Sequence, residues 1–169
     1  MILIAYASKY GATREIAERI AQRLQKSGKQ AEVKPVGQIA DLGKPDCVIV
    51  GSALYQGGWL PDATTFVRKN ATALSHIPTW LFSVGPLATD VDDEEQPIEL
   101  TEFRDKIGLK HHTVFHGALD HNKLDRNDRI TMKAAGAADG DFRDWDAIGA
   151  WADQIANSLK SELAGSSRR

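Results

Sequence analysis

The sequence predicts an α/β fold: a doubly wound, five-stranded parallel sheet in the order 2-1-3-4-5, with helices on both faces. Two observations predict it. Short apolar runs alternate with stretches of helical periodicity, the pattern of βαβ units. The runs are continuously apolar rather than alternating, as strands covered on both faces require.

Taken in order, strand one is Ile2 to Tyr6. The helix after it carries Ile16, Ala17, Ile20, Ala21 and Leu24 on one stripe and stops near Ser27-Gly28. Strand two is Ala31 to Val36 and strand three is Asp46 to Gly51. A helix starts near Pro61, whose missing N–H is not needed in a first turn. Strand four is Thr79 to Ser83, followed by a Gly-Pro turn. The acidic stretch Asp90 to Glu95, read as a solvated loop, leads to a helix ending near Ile107. Strand five is His112 to Leu119. A final helix buries Ile148, Trp151, Ile155 and Leu159. One domain over residues 1–163 is expected, with 164–169 a disordered tail.

The chain of 169 residues is long enough for a core that needs no staples. Its one cysteine, Cys47, lies in an apolar run and reads as a small buried hydrophobe. No basic stretch precedes the first apolar run, and no run is long enough to span a bilayer, so a cytoplasmic protein without a signal peptide or transmembrane segment is expected. Peripheral membrane contact stays open. The net charge of −2 gives no pull toward nucleic acid and no strong acidic field for steering toward basic redox partners.

In an open α/β sheet, ligands bind beyond the carboxyl ends of the strands. After strand one comes Ser8-Lys9-Tyr10-Gly11-Ala12-Thr13, running into a helix. Unpaired N–H groups and the dipole at a helix N-terminus attract an anion; the hydroxyls of Ser8 and Thr13 donate, and Gly11 allows close approach. The segment is neither a Walker A nor a GxGxxG motif. After strand three comes Ala53-Leu54-Tyr55-Gln56-Gly57, then Gly58-Trp59. Small residues followed by aromatics suit a flat ring, with either Tyr55 or Trp59 as its stacking partner. After strand four, Ser83-Val84-Gly85-Pro86-Leu87 can present backbone groups to a ring edge.

Two further features carry less. His112 and His116 fall on one face of a strand, too far apart to share an ion easily, and read as structural or surface histidines, with proton donation by His116 a minor alternative. No metal site is expected. The stretch Lys123 to Lys133 reads as a solvated surface helix, with contact to a membrane, a quinone path or an acidic substrate as the sharper alternative.

On these residues the chain resembles the flavodoxin domain family, and within it most closely the menaquinone-dependent protoporphyrinogen oxidase type. The resemblance runs from Met1 to about Leu159. It rests on Tyr6 to Ala17, Val50 to Tyr55, Gly117-Ala118-Leu119, Asp144-Trp145 and Trp151-Ala152. It implies a flavodoxin-like fold holding FMN, with Ser8 to Thr13 on the phosphate and Ala53 to Gly57 and Ser83 to Leu87 flanking the isoalloxazine. It implies an FMN-dependent oxidoreductase in which the flavin does the chemistry, no side chain is catalytic, and a small molecule or a quinone is the redox partner. The sequence departs from the pattern at His121 to Asp141, shorter than the insert tied to activity in the oxidase type. An electron-transfer protein with no substrate of its own is the alternative, and a net charge of −2 argues against it. A scaffold that has lost its cofactor is a third reading, opposed by the intact loops.

Overall fold

The computed structural model describes residues 1–85 and 96–166, with side chains through residue 161 outside that gap. Five parallel strands form the sheet: β1 (Ile2–Ala7), β2 (Ala31–Pro35), β3 (Cys47–Tyr55), β5 (Thr79–Gly85) and β6 (His111–His116). They lie in the order β2-β1-β3-β5-β6, which is 2-1-3-4-5 for the parallel strands alone. A short strand β4 (Gly58–Trp59) folds back antiparallel on β3.

The continuous apolar runs are explained by two cores, one on each face. Ile2 and Ile4 of β1 join Cys47, Ile49, Trp80 and Phe82 beneath α1 (Ala12–Lys26) and α6 (Trp145–Ser166). Leu3, Ala5 and Ala7 join Val48, Val50 and Leu81 beneath α2 (Pro61–Lys69), α3 (Ala71–Leu74) and α4 (Leu100–Ile107). Successive strand residues point to opposite faces, so every position in such a run is buried. The helix α6 buries Ile148, Trp151, Ile155 and Leu159, and Trp151 meets Phe82 and Phe115 edge-on at 5.9 and 5.6 Å between ring centres.

Several boundaries differ from the sequence reading. Strand β3 runs four residues past Gly51, because Ser52 and Ala53 still pair with Ser83 and Val84, and Leu54 and Tyr55 pair with β4. The residues expected in a ring-binding loop are therefore a hairpin. Its two-residue turn, Gln56 (φ 52°) and Gly57 (φ 78°), has the doubly positive φ that matches strand twist. Strand β5 likewise continues through Val84 and Gly85. Strand five is shorter than expected: β6 ends at His116, and β7 (Ala118–Leu119) leaves the sheet to pair antiparallel with β8 (Gly140–Asp141). Between β7 and β8 the chain makes an excursion that carries α5 (Arg126–Ala134). At the far end α6 runs to Ser166, past the domain end read at residue 163. Pro86, Leu87, the acidic run and residues 167–169 lie outside the described residues.

Candidate functional site

A cleft of about 800 Å³ opens at the C-terminal ends of β1, β3 and β5. This is where a doubly wound sheet leaves a crevice, because its connections diverge to opposite faces there. One end of the cleft is the start of α1. Gly11 precedes that helix with φ 96°, a conformation that costs a β-carbon-bearing residue and not glycine. No side chain caps this end, so the first-turn N–H groups stay available at the cleft wall. The Ser8 hydroxyl oxygen accepts the Gly11 N–H at 3.0 Å and keeps its own proton to donate. Thr13 lines the cleft although only 1% exposed, and its hydroxyl has no protein partner among the described residues.

The opposite wall is the β3–β4 hairpin, with Ala53, Leu54, Tyr55, Gln56 and Gly57 all facing the cleft. Val84 and Gly85 form the floor, and Leu119, Leu124 and Met132 add apolar surface from the excursion. Arg143 closes the rim near α1. Its guanidinium binds both oxygens of Asp141 at 2.8 and 2.7 Å, pairs with Glu15 and lies 4.6 Å from the Trp145 ring. All its charge is spent locally, which ties β8 and the start of α6 to α1.

The most concentrated electrostatics is at Asp128 of α5, 3% exposed. It pairs with the Lys9 ammonium at 2.6 Å, and the phenols of Tyr10 and Tyr55 both donate to it, that of Tyr55 at 2.6 Å. Lys9 also lies 4.9 Å from the Tyr55 ring centre and 5.5 Å from that of Tyr10. The Lys9 bond first, then the two phenols, hold the Asp128 carboxyl at about 2, below the usual 3.8. The same carboxylate raises Lys9. Tyr10 rises through burial and then its bond to Asp128, and Tyr55 rises through its bond to Asp128. At neutral pH the cluster is one carboxylate, one ammonium and two neutral phenols.

With that geometry in view, the sequence profile of the flavodoxin domain family matches residues 3–146. The chain belongs to the flavodoxin domain family. This flavodoxin domain is 26% identical over 172 residues to "Protoporphyrinogen IX dehydrogenase [quinone]" of Escherichia coli strain K12, covering 92% of this chain and 94% of that protein. Among solved structures it superposes on an archaeal flavodoxin with TM-score 0.62 at 16% identity, covering 94% of this chain and 98% of that one. It also superposes on rubredoxin oxygen:oxidoreductase from Desulfovibrio gigas with TM-score 0.65 at 17% identity, covering 96% of this chain and 37% of that one. These superpositions bear on the fold alone.

Within this flavodoxin domain the sequence-predicted residues fall into three groups. Ser8, Lys9, Tyr10, Gly11, Ala12 and Thr13, with Ala53 to Gly57, Val84 and Gly85, are brought together around the cleft. Ser83 does not line the cleft. Fully buried within β5, its hydroxyl oxygen accepts the Trp59 indole N–H at 2.8 Å and lies 2.8 Å from His112 Nε2. Pro86 and Leu87 lie outside the described residues. Trp59 packs 5.3 Å from the Phe103 ring in the core, whereas Tyr55 and Tyr10 line the cleft. The sequence reading missed Asp128, Met132 and Arg143. It placed the first two in a solvated helix whose single inward carboxylate leaves no apolar periodicity to read.

His112 has a structural role with a measurable signature. Ser83 Oγ accepts the Trp59 indole N–H and lies 2.8 Å from His112 Nε2, which fixes the imidazole inside the sheet. Burial first, then the Arg104 charge, lowers His112 from 6.5 to about 4. The folded state thus resists a proton that the unfolded chain accepts. The contribution is whole above pH 6.5 and is lost as pH falls from there toward 4. His112→Gln should flatten the fall in urea midpoint between those values. An unchanged slope would assign the pH dependence to other groups.

Proposed function

We propose that this chain is a single-domain, FMN-dependent oxidoreductase that takes electrons from a reduced, conjugated tetrapyrrole-like donor and passes them to a quinone. The observation that carries the reading is the cleft itself. Its anion end is an uncapped helix N-terminus with a glycine at φ 96°, and its other end is an apolar and aromatic slot. The residues present suit FMN. The Ser8 and Thr13 hydroxyls and the N–H groups of Ala12 and Thr13 would hold the phosphate. Ala53 to Gly57, Val84 and Gly85 would flank the ring system. When bound, FMN supplies the hydride and single-electron chemistry. The chain's own contributions are to bind, to orient, and to keep water off one side of the slot.

Family membership supports a redox role, and the substrate class is suggested by the relative named as a quinone-linked protoporphyrinogen IX dehydrogenase. Among the described residues no helix is long and apolar enough to cross a membrane.

The test has two stages. Titration of the purified protein by flavin fluorescence should give FMN binding about 100-fold tighter than riboflavin, roughly 2.7 kcal/mol for the phosphate contacts. The loaded protein should then oxidise protoporphyrinogen anaerobically when menaquinone is added. Tight FMN binding with no such oxidation, but fast reduction by a flavodoxin reductase, would replace this reading with that of an electron carrier. No binding of either flavin would overturn both.

A further inference from the structure

The helix α5 is attached to the body of the protein in an unusual way. Asp128 is its one buried residue; Met132 is half-buried and the other seven are exposed. An ordinary surface helix docks through an apolar stripe. This one docks through a carboxylate, which reaches Lys9 and Tyr10 in the β1–α1 loop and Tyr55 in the hairpin. Its Arg129 bonds only within the excursion, to the carbonyls of His121 and Leu124 at 3.0 Å each. The base of the excursion is fastened separately. The β7–β8 pair closes it, His121 N–H donates to Asp139 at 2.8 Å, and Leu124 is buried. The segment is thus fixed at its base and held at its helix chiefly through Asp128, with the N-cap Asp125 adding a longer contact to Lys9 at 3.6 Å and an N–H bond to the Tyr10 phenol oxygen at 3.4 Å.

We propose that Asp128 is a positioning residue for the cleft: it latches α5 across the mouth and, through the same contact, holds Tyr10 and Tyr55 in the wall. The proposal rests on the cleft being the flavin site. It adds a gate to that site: α5 lines the cleft through Asp128 and Met132, and breaking the latch lets it move aside as FMN enters or leaves. It also assigns Lys9 to the latch rather than to the phosphate, since its ammonium is shared by Asp128 at 2.6 Å and Asp125 at 3.6 Å.

Affinity alone is a poor test. Asp128→Asn removes the acceptor for one phenol and the charge partner of Lys9, and the freed ammonium then attracts the phosphate. Loss of contacts and gain of charge act on affinity in opposite directions. Rates separate them. An unlatched gate raises both the association and the dissociation rate of FMN, whereas a lost direct contact raises dissociation alone.

The experiment uses wild type, Asp128→Asn and the double variant Tyr10→Phe/Tyr55→Phe, which keeps the Lys9 pair and removes both phenol bonds. Hydrogen exchange on each apoprotein reads the latch without any flavin. Amides of residues 126–134 should exchange about tenfold faster in both variants while those of β1 and β3 are unchanged, the mark of a local opening. Stopped-flow fluorescence with FMN should show both rate constants raised at least threefold. Exchange of α5 within twofold of wild type in both variants would overturn the latch. Faster dissociation with unchanged association would overturn the gate. Should Asp128→Asn fail to fold, the phenol variant decides alone. If wild type binds no FMN, the flavin reading and the gate fall together, while exchange still decides the latch.

Discussion

Gly51→Ala should be among the most destabilising single-atom additions this protein can suffer. Gly51 lies in the centre of β3, paired with Tyr6 on one side and Phe82 on the other. A β-carbon built there would fall 2.0 Å from Phe82 Cζ and 2.3 and 2.4 Å from its Cε atoms. The Phe82 ring therefore lies flat over the glycine of the neighbouring strand, filling the space that a side chain would take. It cannot swing aside cheaply. Phe82 is fully buried, with Phe115 at 6.0 Å and Trp151 at 5.9 Å between ring centres. Overpacking usually costs about 1–3 kcal/mol, and a clash with an immobilised ring belongs at or above the top of that range. For a chain of this length about 3 kcal/mol lowers the melting temperature by roughly 6–12 °C. The mechanism has its own control. In Phe82→Leu the ring is gone, so adding Gly51→Ala to that background should cost far less than in wild type, a coupling expected of residues in contact. A Gly51→Ala protein melting within 2 °C of wild type would mean that the ring relocates freely and that the core is looser than its packing implies.

This contact also marks what the sequence could and could not tell. The five parallel strands, their order and both helical layers were legible, because a doubly covered strand has to be a continuous apolar run and a covering helix has to carry an apolar stripe. Ile2 to Ala5 and the stripe Ile16, Ala17, Ile20, Ala21 and Leu24 are found buried as read, with Tyr6 half-buried. The helix N-terminus at one end of the cleft was legible for a related reason: a strand, a glycine between hydroxyls and a helix make a local motif. What depended on partners distant in sequence was not. Ser83 is of the right residue type and next to the right turn, yet Trp59 and His112 claim its hydroxyl from the other side of the strand. Asp128 looked like one charge among many, and only the fold shows that it is the one buried residue of α5, turned onto residues 118 and 73 positions away. The extension of β3 to Tyr55 was hidden because Gly57 and Gly58 announce a turn without saying whether the flanks are loop or hairpin.

Gly11→Val should separate flavin recognition from folding. Gly11 sits at φ 96° and ψ −13°, a left-handed conformation that a β-branched residue adopts only under strain. Space is not the issue, since the nearest atom to a β-carbon there is the flexible end of Arg14 at 4.0 Å. The cost is therefore conformational, about 1–3 kcal/mol if the loop keeps its shape. The loop is at the surface and the residue is half-exposed, so the backbone can relieve the strain by rotating Gly11 out of this region. Rotation there re-aims the N–H groups that precede and begin α1, and with them the cradle proposed for the phosphate. Stability should change little while FMN affinity falls about 100-fold, close to the whole difference expected between FMN and riboflavin. Riboflavin affinity, which draws only on the hairpin and the floor, should stay within threefold. The pair of titrations is decisive because a general loosening of the cleft would weaken both flavins together. FMN binding by Gly11→Val within threefold of wild type would show that the phosphate, if it binds at all, is held elsewhere, and Lys9 would be the next residue to test, since a phosphate could compete for it only by drawing it away from Asp128.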